Sequence, residues 1–353
     1  MVGLATPVAL AAGLNKAARN HILIRDTSAL EQMRNVDVVV FDKTGTLTEG
    51  HPTVIGWLWA QGQEEHYKDV LLAAESTSDH PLAEAIVTAL EGEEQVIPAH
   101  LDGFENITGK GVRVAYQGAE YWVGSHKLLK DYQANLSDIL ADMLTQYESD
   151  GNSIVYFGRE NDLLAVIAIK DQLRVTSMEA IRELRIQDIE ICMLTGDGER
   201  TASSVAGSLG IMRFVADAMP DDKEDFIHKL QLQGKTVAMV GDGVNDAQAL
   251  SCADVSIAMG KGTDTLMDTA MITLRTSDLL LLPKVFRLSR QTVSLMYRNL
   301  FWAFIYNTVG IFVAAGVLYP VYDILLSPAL AGAAMALSCV SVALSSLRLS
   351  SRF

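Results

Sequence analysis

Residues 36–48, VDVVVFDKTGTLT, set the frame for the whole chain. Five of the six residues from Val36 to Phe41 are apolar. They read as a strand buried on both faces, the habit of parallel sheets. The run ends at Asp42, and an acidic residue at the carboxyl end of a parallel strand stands where open α/β sheets place their chemistry. Gly45 and the small hydroxyl residues after Asp42 let backbone N–H groups close round a phosphate. An ordinary turn is the alternative for an isolated D-x-T; the longer string argues against it.

Two more strand ends carry matching chemistry. Residues 189–194 form an apolar run that ends in Thr195-Gly196-Asp197. A hydroxyl and a glycine amide there can cradle the same phosphate as Asp42, and a helix opening after Asp197 adds its N-terminal dipole. Residues 236–240 deliver Gly241-Asp242-Gly243-Val244-Asn245-Asp246. Two carboxylates at a strand end make a hard-oxygen site suited to Mg²⁺, which takes few protein carboxylates and keeps room for substrate phosphate. A hairpin Asp-Gly turn fails on its flanks, a buried strand before and the helix-like AQALSCA after.

In this order and spacing the three motifs resemble the P-type ion-motive ATPases, members of the haloacid dehalogenase group. The resemblance implies a Rossmann-like α/β phosphorylation domain in which Asp42 attacks the γ-phosphate of ATP and becomes an aspartyl phosphate. It implies that Thr195, Gly196 and Asp197 hold the phosphoryl group and that Lys223 neutralises its charge. Asn245 and Asp246 support the site, and Asp42, Thr44 and Asp242 hold Mg²⁺.

Between residues 50 and 165 the texture changes. Strand-like runs at 53–58, 111–116, 120–123 and 153–157 alternate with helical ones at 68–76, 82–90 and 137–148, as in an inserted α+β domain. Here stand Glu75, the pair His80-Pro81 and Gly109-Lys110-Gly111. Alone, His-Pro reads as a helix start. After DKTGT the set resembles the nucleotide-binding domain of heavy-metal pumps, which implies that Glu75, His80, Gly109 and Gly111 surround adenine and ribose.

The N-terminal GLATPVAL follows a Cys-Pro-Cys motif in that family, so the resemblance implies the C-terminal part of a longer pump or a natural truncation. No actuator-domain loop is recognisable. The expected division is a helix end and stalk at 1–24, a phosphorylation domain at 25–49 and 166–282, the insertion at 50–165, and two transmembrane helices at 283–353. Residues 16–35 read as a helical stalk leading into the Asp42 strand.

Composition agrees with a membrane attachment. The 353 residues are 49% hydrophobic, with a mean hydropathy of +0.20. The net charge of −15 argues against nucleic acid as a partner. Cys192, Cys252 and Cys339 lie far apart and suggest no disulfide scaffold. The uncharged runs 300–318 and 324–347 are each long enough to cross a bilayer in contact with lipid. Arg287, Arg290, Arg298, Arg348 and Arg352 place both ends on the inner side. An integral protein of a bacterial plasma membrane with cytoplasmic catalytic domains follows.

Within the runs, Tyr306 and Asn307, then Met335, Ser338 and Cys339, are the candidate ligands of a transported ion. Met and Cys are soft donors suited to Cu⁺, and no carboxylate lies in the second run. The pattern resembles the copper(I)-exporting branch, with Cys339 where that branch commonly has serine. Two readings stay open. One is an ATP-driven copper(I) pump; the other is a non-transporting ATPase or phosphatase fragment, or a pump for Ag, Zn or Cd.

Overall fold

The computed structural model describes residues 2–60, 64–78, 80–93, 95–134, 138–242, 246–260, 269–276, 278–315 and isolated positions between 332 and 346. Two sheets organise these residues. The strands up to Lys170 are β1 (Ile22–Ile24), β2 (Val38–Asp42), β3 (Thr53–Trp59), β4 (Gly103–Ile107), β5 (Gly111–Tyr116), β6 (Ala119–Gly124), β7 (Ser153–Arg159) and β8 (Asp162–Lys170). After them come β9 (Glu190–Leu194), β10 (Arg213–Val215), β11 (Val237–Gly241), β12 (Val255–Met259) and β13 (Ile272–Leu274).

The first sheet runs β1-β13-β12-β11-β2-β9-β10. Every pairing in it is parallel except β1 with β13. The valine-rich β2 sits at its middle, fully buried from Val38 to Asp42, as a central parallel strand must be when helices cover both faces. Its neighbours β9 and β11 are the strands ending in the Thr195 and Asp242 motifs. All three therefore present their last residues at one sheet edge, where the strand order sets a shared crevice.

The second sheet is antiparallel, in the order β3-β8-β7-β6-β5-β4. The helices Glu64–Glu75 and Pro81–Glu91 contribute Val70, Leu71, Leu72, Ile86 and Leu90 to a core with Val112, Val114, Phe157 and Ile167. It is chained into the first sheet between β2 and β9. Its two crossings lie side by side: Thr48 pairs with Leu173, and the Glu49 amide donates to the Gln172 carbonyl at 2.8 Å. β8 runs through residue 165 and stays paired to Lys170.

One expectation needs correction. The stalk is not one helix: Val2–Arg19 and Ser28–Arg34 are helical, and β1 lies between them. Its Ile22-Leu23-Ile24 pairs with Ile272–Leu274 at the sheet margin, after His21 turns with φ at 60°. A tripeptide is too short for a periodic signal, and its partner lies some 250 residues away. Among the described residues no helix is long and apolar enough to cross a membrane.

The helix expected to make the first crossing runs instead from Leu281 to Ala314. Its N-terminal half is docked on the protein. Arg287 Nη1 meets Glu183 Oε2 at 3.0 Å, and Arg290 Nη2 donates to the Gln187 carbonyl at 3.0 Å. Ser289 hydrogen-bonds the Leu30 carbonyl. Both arginines therefore have protein partners. Most of 324–347 lies outside the described residues.

Candidate active site

The site is built on the turn after β2. Lys43 to Leu47 coil tightly, with Thr44 extended (φ −73°, ψ 129°) and Gly45 left-handed (φ 70°, ψ −13°). A Cβ on Gly45 would lie 1.5 Å from Asp242 Oδ2, so glycine is required twice, by dihedral and by space. Three later groups hold the turn. Thr48 Oγ1 accepts from the Gly45 amide at 3.0 Å and donates to Asp171 Oδ2 at 2.5 Å. Arg174 donates Nε to the Thr46 carbonyl at 2.9 Å and Nη2 to that of Gly45. Ser177 Oγ donates to the Leu47 carbonyl at 2.7 Å.

Asp42 is buried at the mouth of this turn. Lys223, from the helix Pro220–Leu232, reaches it with Nζ 2.5 Å from Asp42 Oδ1 and 2.7 Å from Asp246 Oδ1. Burial alone would lower the Lys223 pKa, but the two carboxylates outweigh it and hold the ammonium charged. Asp42, Asp242 and Asp246 bring one carboxylate oxygen each within 4.8 Å of one another. Burial and then the charges of Asp42 and Asp246 push Asp242 up to about 7, against the pull of Arg174. Lys223 pairs with two of the three carboxylates and leaves Asp242 without a direct cation contact, an imbalance that a divalent cation would relieve.

The other strand-end motif has a different partner. Asp197 is ion-paired with Lys43. Its amide donates to Thr195 Oγ1 at 3.1 Å, and Lys43 also reaches Ser153 Oγ of the second sheet at 3.1 Å. Burial raises the Asp197 pKa; the Lys43 charge and hydrogen bonds from Lys43, Ser153 and Thr195 outweigh that and lower it. At Gly196 a Cβ would meet the Ala218 carbonyl at 3.7 Å, an ordinary contact.

Sequence reasoning missed Lys43, Ser153, Asp171 and Arg174. Lys43 sits inside the quoted motif, but nothing in the string says that its side chain turns towards Asp197. Thr44 lies half-buried in the turn. Asn245 lies outside the described residues.

The insertion faces the same crevice. Lys127 Nζ donates to the Asp217 carbonyl at 2.5 Å, and a Cβ on Gly109 would meet Met219 Cε at 2.8 Å. Gly111 is pressed against β6, where a Cβ would lie 2.1 Å from the Val123 carbonyl. His80 caps the helix Pro81–Glu91, its Nδ1 accepting from the Leu82 amide at 3.2 Å. Surrounding protein lowers the His80 pKa although its surface is open; the Asp197 charge opposes this, and Lys43, Asp42 and Lys223 are also felt. The insertion's histidine and the Asp42 cluster thus share one field.

Glu75 ends the helix Glu64–Glu75 and is 6% exposed. Desolvation raises its pKa from 4.5 to about 7. Between those values the folded chain holds a proton that the unfolded chain has lost, so folding weakens as pH rises from 4.5 to 7 and levels off above. Glu75→Gln is expected to match the parent at pH 4.5 and to exceed it at pH 8 by about 3 kcal/mol. Paired denaturant melts at the two pH values measure this, and an equal stability difference at both would refute it.

Of the other expected ligands, Tyr306 is exposed and stacks on Trp302 with ring centroids 5.8 Å apart. Asn307 Nδ2 donates to the Ala303 carbonyl one turn back at 2.8 Å. Met335, Ser338 and Cys339 lie outside the described residues.

Comparison with known proteins gives a consistent picture. A family model described as haloacid dehalogenase-like hydrolase matches residues 36–254. The copper-exporting P-type ATPase of Legionella pneumophila is 42% identical over 99% of this chain and 47% of its own length. The silver-exporting P-type ATPase of Salmonella typhimurium is 43% identical over 99% and 42%. The chain therefore spans about half the length of the curated relatives it matches. A crystal structure of a zinc-transporting PIB-type ATPase in an E2.Pi state superposes with a TM-score of 0.68 at 34% identity, over 99% of this chain and 55% of that one.

Proposed function

The chain belongs to the haloacid dehalogenase-like hydrolases, and on that footing we propose that it is the phosphorylation and nucleotide-binding part of a metal-exporting P-type ATPase. The observation that carries this is Asp42 at the end of the central strand, 2.5 Å from a buried lysine and clustered with two more carboxylates.

In this reading the Asp42 carboxylate attacks the γ-phosphorus of ATP in line, the bond to the β-bridging oxygen breaks, and ADP leaves. Lys223, held charged between Asp42 and Asp246, stands ready to offset the phosphoryl oxygens. The left-handed Gly45 opens the space for Asp242 beside Asp42. Asp42 and Asp242, with Asp246 behind them and Thr44 in the same turn, would hold Mg²⁺, which when bound neutralises phosphate charge. Asp197 is engaged by Lys43, so its part is to fix that lysine and the crevice wall. Thr195 and Gly196 line that wall. Asn245 is assigned to the same turn as Asp242 on the sequence motif.

Residues 50–165 are the nucleotide-binding insertion, with Glu75, His80, Gly109 and Gly111 on the ATP side. Residues 25–49 and 166–282 form the phosphorylation domain. Cu⁺ is the proposed ion, supported by the relatives that export copper or silver; Tyr306, Asn307, Met335, Ser338 and Cys339 are its candidate donors. Placement in a membrane through residues 283–353, in contact with lipid and with further pump segments, rests on those relatives as well.

A phosphoprotein assay tests the core of the proposal. Incubated with γ-labelled ATP and Mg²⁺, the chain is expected to acquire an acid-stable, hydroxylamine-sensitive label. A label that survives hydroxylamine, or none while nucleotide binds, would exclude an acyl phosphate.

A further inference from the structure

A second cluster of ligating side chains lies away from Asp42. Glu224 and His228 occupy successive turns of the helix Pro220–Leu232, and Cys252 ends the helix Ala247–Cys252 packed beside it. One donor atom from each falls within 4.8 Å of the others. Cys252 Sγ is 3.4 Å from Glu224 Oε1, and His228 Nε2 is 3.5 Å from the same oxygen. Tetrahedral zinc with bonds of about 2.0 Å to N and O and 2.3 Å to S separates its ligand atoms by about 3.3–3.5 Å. The two edges already have that length.

The protonation pattern points the same way. Gln231 Nε2 donates to the Cys252 carbonyl at 2.9 Å and to Asp254 Oδ2 at 3.3 Å, which fixes its Oε1 as an acceptor. His228 Nδ1 lies 3.2 Å from that Oε1, so the proton of the neutral ring belongs on Nδ1. Nε2 then carries its lone pair towards the Glu224 carboxylate. Orientation of the imidazole through its other nitrogen is how metal-binding histidines are held. Asp254 in turn accepts from the Val237 amide at 2.8 Å, so the chain of support ends in the sheet.

We propose that Glu224, His228 and Cys252 form a binding site for a borderline divalent cation of the Zn²⁺ class, oriented by Gln231 and open to water at the fourth position. The mixed S, N and O donors suit Zn²⁺ better than Mg²⁺, which takes oxygen alone. Binding exchanges the Cys252 thiol proton, released to solvent, for a sulfur–metal bond. Lys223 precedes Glu224, and Asp246 caps the helix that ends in Cys252. A bound ion therefore fastens together the two helices that carry the lysine–carboxylate pair beside Asp42, and can regulate it from outside the crevice.

The test uses the full chain in excess Mg²⁺, which occupies the Asp42 cluster. Co²⁺ is expected to give a thiolate-to-metal charge-transfer band that Zn²⁺ displaces. The band is expected to vanish in Cys252→Ser and to persist in Cys339→Ser. Gln231→Leu, which retains all three donors, is expected to weaken Zn²⁺ binding about 10- to 100-fold. Zn²⁺ is expected to raise the melting temperature of the parent and not of Cys252→Ser, whose metal-free melt serves as the folding control. No charge-transfer band, a band unaffected by Cys252→Ser, or a melting temperature that Zn²⁺ raises equally in the parent and in Cys252→Ser would overturn the site.

Discussion

Asp42→Asn is expected to yield no phosphoprotein at all, under conditions where the parent labels readily. The amide is neutral, and its oxygen is too weak a nucleophile to open the γ-phosphoryl bond. The fold is expected to survive, because Lys223 keeps its 2.7 Å contact with Asp246. Loss of the Asp42 charge also removes one of the causes that raise Asp242. Its pKa is therefore expected to fall in the variant, which carboxylate titration by NMR or infrared spectroscopy can follow. Labelling by Asp42→Asn at even a hundredth of the parental rate would move the nucleophile elsewhere.

Lys223→Met carries the second large effect. Two buried carboxylates, Asp42 and Asp246, would lose their shared cation, and removing one partner of such a cluster costs about 3–5 kcal/mol. Asp242 beside them, pushed up to about 7 by burial and by the charges of Asp42 and Asp246, is partly protonated at neutral pH. Asp42 loses the ammonium that holds it in place, and the developing phosphoryl charge loses its preorganised partner. Together these are expected to lower the phosphorylation rate about 10³-fold. Part of the loss should return on raising the pH above 7, because deprotonation restores the Asp242 carboxylate but not the lysine. A variant that keeps more than a tenth of the parental rate, with its melting curve intact, would reduce Lys223 to a structural ion-pair partner.

How much of this was readable beforehand divides along the range of the interactions. The three strand ends that converge at Asp42 were legible because each writes itself locally: a buried apolar run, then a carboxylate or hydroxyl, then glycine. Parallel pairing of β2 with β9 and β11 does the rest. Four of the six inserted strands, β3, β5, β6 and β7, were legible, β5 spanning residues 111–116 as its pattern suggests, and β8, buried almost throughout, was not. β4 was not, since its burial is nearly uniform along GFENI and leaves no alternating signal. The Asp197 motif misled in one respect. Its spacing from Asp42 is right, but Lys43, one residue beyond the nucleophile, turns to meet it. Nor could Glu224, His228 and Cys252 be grouped from a spacing that spans two helices and a strand.

The adjacent crossings at Thr48–Leu173 and Glu49–Gln172 have a bearing on how such a chain can be assembled and remodelled. A segment whose two ends leave a host side by side perturbs none of the host's strand order, because β9 and β11 find β2 whatever lies between. The entropy of closing so long an excursion rises only logarithmically with its length, and one short clasp of paired backbone sets its ends. The host is thus indifferent to the size of its guest but not to the guest's posture. Arg174, just past the clasp, holds the carbonyls of Gly45 and Thr46, so any tilt of the guest arrives at the Asp42 turn with hardly a residue of slack.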